Sequence, residues 1–240
     1  MVAPTRITRF LAALALVLLA APLALGASMS GLLSGISQQD QTSALRTALT
    51  QGAQAAVSKL GVADGFLGNA KVRIPLPGKL AKAEKTLKRI GLGSQTDALV
   101  TAMNRAAEAA VPEARTLLVD AVKQMSVQDA TAILTGGKDS ATQYFRGKTQ
   151  DALAAKFLPI VKQRTQQLDL ASRYNQVASQ ASSFGLIDPK DASVESYVTQ
   201  KALDGLFTMM AEEEAAIRAN PVGQASKLLQ TVFGALRSKL

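Results

Sequence analysis

Along most of this chain the apolar residues recur at steps of three and four, the spacing that lines one face of a helix. From Gln38 to Leu60 the stripe runs through Ala44, Leu45, Ala48, Leu49, Ala53, Ala56, Val57 and Leu60, and Gly61 ends it. The period then fails over GVADGFLGNAKVRIPLPG, Gly61 to Gly78. Pro75 and Pro77 push the residues before them out of the helical region, so a packed surface arm or a short edge strand is predicted here. Lys79 to Ile90 restores the period as a basic amphipathic helix with Leu80, Ala83, Leu87 and Ile90 on one side. A helix holding LVTAMNRAAEAA follows, and Pro112 marks a first helical turn that opens PEARTLLVDAVKQM. Ser126 and Asp129 frame the short helix SVQDATAIL at capping-box spacing.

Beyond Gly137, the stretch ATQYFRGKTQDALAAKFLPIVKQRTQQL carries Tyr144, Phe145, Leu153, Phe157, Ile160 and Val161, and Pro159 is predicted to kink or divide it. The segment SRYNQVASQASSF leads to an IDPKD turn. A long helix is predicted from about Val194 to Ala219, stopped at Asn220-Pro221. A last amphipathic helix carries Leu228, Leu229, Val232, Phe233 and Leu236. Alternating β-branched runs are few, no repeat period is visible, and no linker is long enough to separate domains. The predicted fold is therefore all-α: a single-domain multi-helix bundle with a short extended Gly/Pro-rich arm near 61–78.

The N-terminus departs from this pattern. MVAPTRITRF carries two arginines and no acid, and leads into LAALALVLLAAPLALG. That order reads as a secretory signal peptide over 1–27, with Ala24, Gly26 and Ala27 as the small residues at its end. The apolar run is shorter than the roughly 20 residues of a membrane span, and the all-helical domain would occupy 28–240. The expected location is periplasmic or secreted. Without any cysteine the protein can be neither lipidated at a processed N-terminal cysteine nor disulfide-bonded.

Charge adds little by itself. The chain has 27 Lys+Arg against 18 Asp+Glu, and taking Arg6 and Arg9 from the net +9 leaves +7. A basic protein meets anionic lipid or other acidic polymers, yet moderate charge also serves solubility. Nucleic acid is disfavoured, because single-strand binding uses aromatic platforms and this chain is 4% aromatic with no Trp. The basic helix supplies one candidate contact for an anionic surface: Lys79, Lys82, Lys85, Lys88 and Arg89. Against it stands an ordinary solvated face, in which Glu84 pairs with Lys88.

The turn ILTGGKDS invites a phosphate-loop reading. A GxxxxGK[ST] loop needs glycine at Ala132, Ser or Thr at Asp139, and a preceding buried strand, and all three are missing. Gly136 and Gly137 instead read as a helix end in left-handed backbone, with Asp139 or Ser140 capping the next helix. With no His and no Cys, imidazole and thiol catalysis and the usual zinc sites are excluded. No metal site and no cofactor is expected. The remaining candidate chemistry is a polar cluster: Asn104, Arg105 and Glu108 on one helix, with Tyr197, Lys201, Asp204, Glu213 and Arg218 on another. It would host a ligand or acid–base chemistry if the two helices pack together. Otherwise Arg105 pairs with Glu108, Lys201 with Asp204 and Glu214 with Arg218 as surface pairs worth tenths of a kcal/mol.

The phrases KVRIPLPGKLAKAEKTLKRIGLG, MNRAAEAAVPEA, AVKQMSVQDATAILTGG, ATQYF and YVTQKALDGLFTMMAEEEAAIRANP, in that order, resemble a secreted bacterial family, domain of unknown function 4197. The resemblance covers about Leu45 to Phe233. It implies a signal-bearing, all-helical, single-domain protein and no established activity, substrate or cofactor. Three functions stay open: a non-enzymatic envelope module that binds a partner protein, a small ligand or a second copy of itself; peripheral binding to anionic envelope lipid through 79–91; and a hydrolase or lyase using carboxylates such as Glu108 or Asp204.

Overall fold

The computed structural model describes residues 37–166, 171–172, 174–176, 183 and 193–219. The expected signal peptide, most of the 172–184 segment and the expected C-terminal helix lie outside them. Within them are seven α-helices: α1 Gln38–Leu60, α2 Gly78–Arg89, α3 Gly93–Ala110, α4 Ala114–Lys123, α5 Val127–Thr135, α6 Ser140–Thr165 and α7 Val194–Ala219. A single 3-10 turn, Val111–Glu113, joins α3 to α4 with Pro112 in its first positions. The described residues form an all-α multi-helix domain with no strand. The 61–77 arm is consequently a packed irregular segment rather than an edge strand.

The α1 stripe is buried as its spacing predicts, with Leu45, Ala56 and Leu60 fully enclosed. It packs on α7 and α4, while α6 and α7 form the closest helix pair and α3 lies against both. Phe145 and Phe157 of α6, Phe207 of α7 and Met103 of α3 fill the centre. Fully burying one such side chain is worth roughly 1.5–3 kcal/mol. Two of the buried threonines in α6 bond within the helix: Thr149 donates to Phe145 O at 2.7 Å and Thr165 to Val161 O at 3.0 Å.

Helix ends follow identifiable causes. Ser37 accepts the Asp40 N–H at 3.1 Å and starts α1. Ser126 and Asp129 form the expected capping box at the head of α5, with Ser126 Oγ accepting from Asp129 N and Asp129 Oδ2 from Ser126 N. The start of α7 is held locally and from outside: Ser193 Oγ accepts the Ser196 N–H at 3.0 Å, Asn175 Oδ1 accepts the Val194 N–H at 2.7 Å, and Asn175 Nδ2 donates to Glu195 at 2.8 Å.

Three local expectations are corrected. Gly136 is extended (φ −80°, ψ −178°) and not left-handed. Glycine is needed there for space, because a Cβ would sit 2.6 Å from Ala132 O and 2.7 Å from Ser140 Cβ. Neither Asp139 nor Ser140 caps α6: no Asp139 side-chain bond closes the helix start, and Ser140 Oγ donates back to Ile133 O at 2.8 Å. Pro159 does not divide α6, which stays helical through it. Pro159 is exposed, so the carbonyl it leaves without an intrahelical donor can meet water.

Candidate functional site

The predicted polar residues of α3 meet the arm. Asn104 is completely buried. Its Oδ1 accepts the Ile74 N–H at 2.8 Å while its Nδ2 donates to Ile74 O and Val100 O, both at 2.8 Å. One amide thus pairs with a residue of the arm as a neighbouring strand would, and pins the arm to its own helix. Four positions later, one turn along the same face, Glu108 Oε1 accepts the N–H groups of Phe66 at 3.0 Å and Leu67 at 3.1 Å. Its Oε2 takes Arg105 Nη1 at 2.7 Å, and Arg105 Nη2 reaches Asp64 Oδ1 at 2.9 Å. The Glu108 carboxylate, ahead of Asp64, holds the Arg105 guanidinium above its ordinary pKa. Asp64 itself adopts a left-handed φ of 64°, which turns the chain into the arm.

The arm is held by α7 from its other side. Tyr197 donates its hydroxyl to Pro75 O at 3.2 Å, and Lys71 pairs with Glu212 at 2.7 Å. Phe66, fully buried, rests on the backbone of α7 at Gly205, where a Cβ would stand 2.6 Å from Phe66 Cε1. Val72, Ile74 and Leu76 alternate into the core while Lys71, Arg73 and Pro75 face solvent. Residues 71–76 therefore bury every second side chain without belonging to a sheet: side chains of α3 and α7 take the Ile74 N–H and the Ile74 and Pro75 carbonyls, and a turn at Asn69 takes the Val72 and Arg73 N–H groups.

The other predicted members go elsewhere. Lys201 is exposed, its Nζ 5.9 Å from the Tyr197 ring. Asp204 does not pair with Lys201 as expected; it takes Arg146 of α6 at 3.4 Å, and the Arg146 guanidinium lies 4.6 Å over the Phe207 ring. Glu213 pairs with Lys59 of α1 at 2.5 Å. Glu214 and Arg218 pair at 2.8 Å, but not as a surface pair. Glu214 is buried and accepts Ala141 N at 3.0 Å, Thr142 N at 2.9 Å and Thr142 Oγ1 at 2.9 Å. It is the N-cap that α6 lacks in its own sequence, supplied by α7. A negative charge there also meets the positive end of the helix dipole. Arg218 completes the junction by donating to Ile133 O at 2.9 Å and Ser140 Oγ at 2.8 Å. Sequence reasoning centred on Glu213 and gave Glu214 a surface pairing, yet Met210, Glu214 and Ile217 fall four and three residues apart on one buried face. An acid on an apolar stripe was the available signal.

A general base needs a lone pair free for a substrate proton. Both oxygens of Glu108 are occupied by N–H donors, three in all, two of them from the arm backbone. Glu108 and Asp204, the carboxylates considered for hydrolysis, belong to separate clusters. Among the described residues no group of His, Cys, Asp or Glu is arranged to hold a metal ion. Two narrow seams of about 20 Å³ each lie beside Glu214 and Ile217, room for about one water. A wider polar cleft of about 190 Å³ opens between α4 and α6.

The basic helix α2 stands apart from these networks. Lys82, Lys85, Lys88 and Arg89 are exposed; the side chain of Lys79 lies outside the described set. Lys88 bridges Glu84 at 2.8 Å, as expected, and also Asp97 of α3 at 3.4 Å. Those two acids raise its pKa, Glu84 first. Lys82, Lys85 and Arg89 have no ion pair among the described residues. Ile90, just past the helix, is 65% exposed. Glycines with positive φ bound the element, Gly78 at +24° and Gly91 at +86°, each with open space where a Cβ would go. No helix among the described residues is long and apolar enough to cross a membrane.

No curated protein matches the chain, and no solved structure does. A family model described as "Protein of unknown function (DUF4197)" matches residues 35–234, which takes in α1 through α7 and the arm between α1 and α2. With that match spanning most of its length, the chain belongs to the DUF4197 family.

Proposed function

We propose that this protein is a non-enzymatic envelope-interaction module, exported by its N-terminal segment, whose contact surface is α2 and whose target is the anionic headgroup layer of an envelope lipid. The observation that carries the reading is the exposed basic face of α2. Lys82, Lys85 and Arg89 make no ion pair among the described residues, and together with Lys88 they place four basic side chains on one exposed helix. Exposed Ile90 supplies an apolar contact next to that face. A basic amphipathic helix of this kind lies in the interfacial plane and combines charge attraction with shallow apolar burial.

Each Lys or Arg near an anionic surface is worth about 1 kcal/mol, so removing four weakens partitioning by roughly two to three powers of ten. Co-sedimentation with phosphatidylglycerol-containing vesicles tests this. The protein is expected to bind at low salt, to release as salt shortens the Debye length from about 10 Å at 0.1 M towards 3 Å at 1 M, and to ignore phosphatidylcholine vesicles. Replacing Lys82, Lys85, Lys88 and Arg89 with Gln is expected to abolish binding. Binding that persists in this variant, or that is indifferent to salt, overturns the proposal.

A further inference from the structure

The cleft between α4 and α6 is formed by elements other than α2 and is roughly ten times the volume of either seam beside Glu214. Leu117, Asp120 and Gln124 line it from α4 and its C-cap, and Tyr144 and Lys148 from α6. Tyr144 donates its hydroxyl across the cleft's two helices to Ala121 O at 2.9 Å, which leaves the phenol oxygen as an acceptor. Burial first, then the charge of Asp129, keeps that phenol protonated above its ordinary range. The Lys148 ammonium stands 5.8 Å from the Tyr144 ring. Asp120, which lines the cleft, accepts from Lys123 Nζ through Oδ1 at 3.0 Å.

These groups divide the work of recognition in a particular way. The Asp120 carboxylate only accepts, the Lys148 ammonium only donates, and the Gln124 amide does both. An anion would gain at Lys148 and lose at Asp120, and a cation the reverse. A neutral hydroxyl-rich ring uses all three, since each hydroxyl both donates and accepts. Leu117 supplies apolar surface for its C–H face, beside the Tyr144 ring over which Lys148 lies. At about 190 Å³ the cleft is smaller than the roughly 300–1,000 Å³ of drug-sized pockets, a size that suits a single ring. We propose that the α4–α6 cleft binds one neutral monosaccharide unit, as a free sugar or as the exposed residue of a glycan. This inference is independent of the lipid contact assigned to α2.

The test is saturation-transfer NMR and calorimetric titration of the purified protein with glucose, galactose, mannose and N-acetylglucosamine, with acetate and phosphate as charge-only controls. At least one sugar is expected to bind at a single saturable site. Gln124 is exposed, so Gln124→Trp fills the cleft without disturbing the core and is expected to abolish binding. Gln124→Ala and Lys148→Ala each remove one polar contact and are expected to weaken it roughly threefold to tenfold. Far-UV circular dichroism of each variant checks that the helices persist. The Lys-to-Gln variant of α2 is expected to bind the sugar unchanged, which separates this site from the lipid surface. The proposal is overturned if none of the four sugars binds, if binding survives Gln124→Trp, or if acetate or phosphate binds as well as the sugars.

Discussion

Asn104 and Glu108 illustrate how much a single buried polar side chain can decide. Asn104 makes three bonds of 2.8 Å, two donated and one accepted. Asn104→Asp keeps the acceptor but turns a second oxygen towards two carbonyls. It is therefore expected to destabilise at least as much as Asn104→Leu, on the order of 2–4 kcal/mol by urea unfolding. Glu108→Ala leaves the Phe66 and Leu67 N–H groups without an acceptor, at a cost on the order of 3 kcal/mol, whereas Glu108→Gln retains one amide oxygen and costs less. Equal losses in the two Glu108 variants would contradict the clamp. Glycine offers a paired test. Gly136→Ala forces a Cβ against Ala132 O and Ser140 and is expected to cost about 1–3 kcal/mol, while Gly147→Ala, in α6 with nothing within 4 Å, is expected to stabilise by about 0.5–1 kcal/mol.

Among the helices, capping groups were legible where they lie in the adjoining sequence and illegible where they come from elsewhere. The bounds of α1 and α7 follow from their stripes and stops, and the Ser126–Asp129 box was readable from its spacing. The start of α6 at Asp139–Ser140 was readable but its capping group was not, because that group is Glu214, 72 and 73 residues away in the chain from the N–H groups it accepts. No local pattern records such a partner. Asp129 gives a pH signature at this scale. The Ser126 backbone N–H, then its hydroxyl, lower the Asp129 pKa below 3.8. A lowered carboxylate pKa means the stabilisation is complete above the ordinary value and is lost as pH falls through the folded one. The gap in urea midpoint between the native protein and Asp129→Ala is thus expected to be constant near neutrality and to close below pH 3.8. A gap that widens on acidification would contradict the box.

At the scale of the whole molecule, local pattern was readable and long-range partnership was not. The all-α class and the extended arm were legible because periodicity and the two prolines are local properties of the chain. The role of the polar cluster was less so: a stripe shows that Asn104 and Glu108 share a face, but only the folded chain shows that this face meets the backbone of residues 66–74. Asp204 could not be assigned to Arg146 from sequence, since that pair joins α6 to α7 across 58 residues. Asn104, Glu108 and Glu214 are thereby committed to architecture, and the proposed function places contact on the exposed charge of α2 instead. Hydrogen–deuterium exchange, with and without phosphatidylglycerol vesicles, tests that division most directly. The account predicts that vesicles slow exchange across 78–91 and leave the amides of Phe66, Leu67 and Ile74 as they were. Protection of the arm or of the α5–α6 junction, with α2 unchanged, would contradict it.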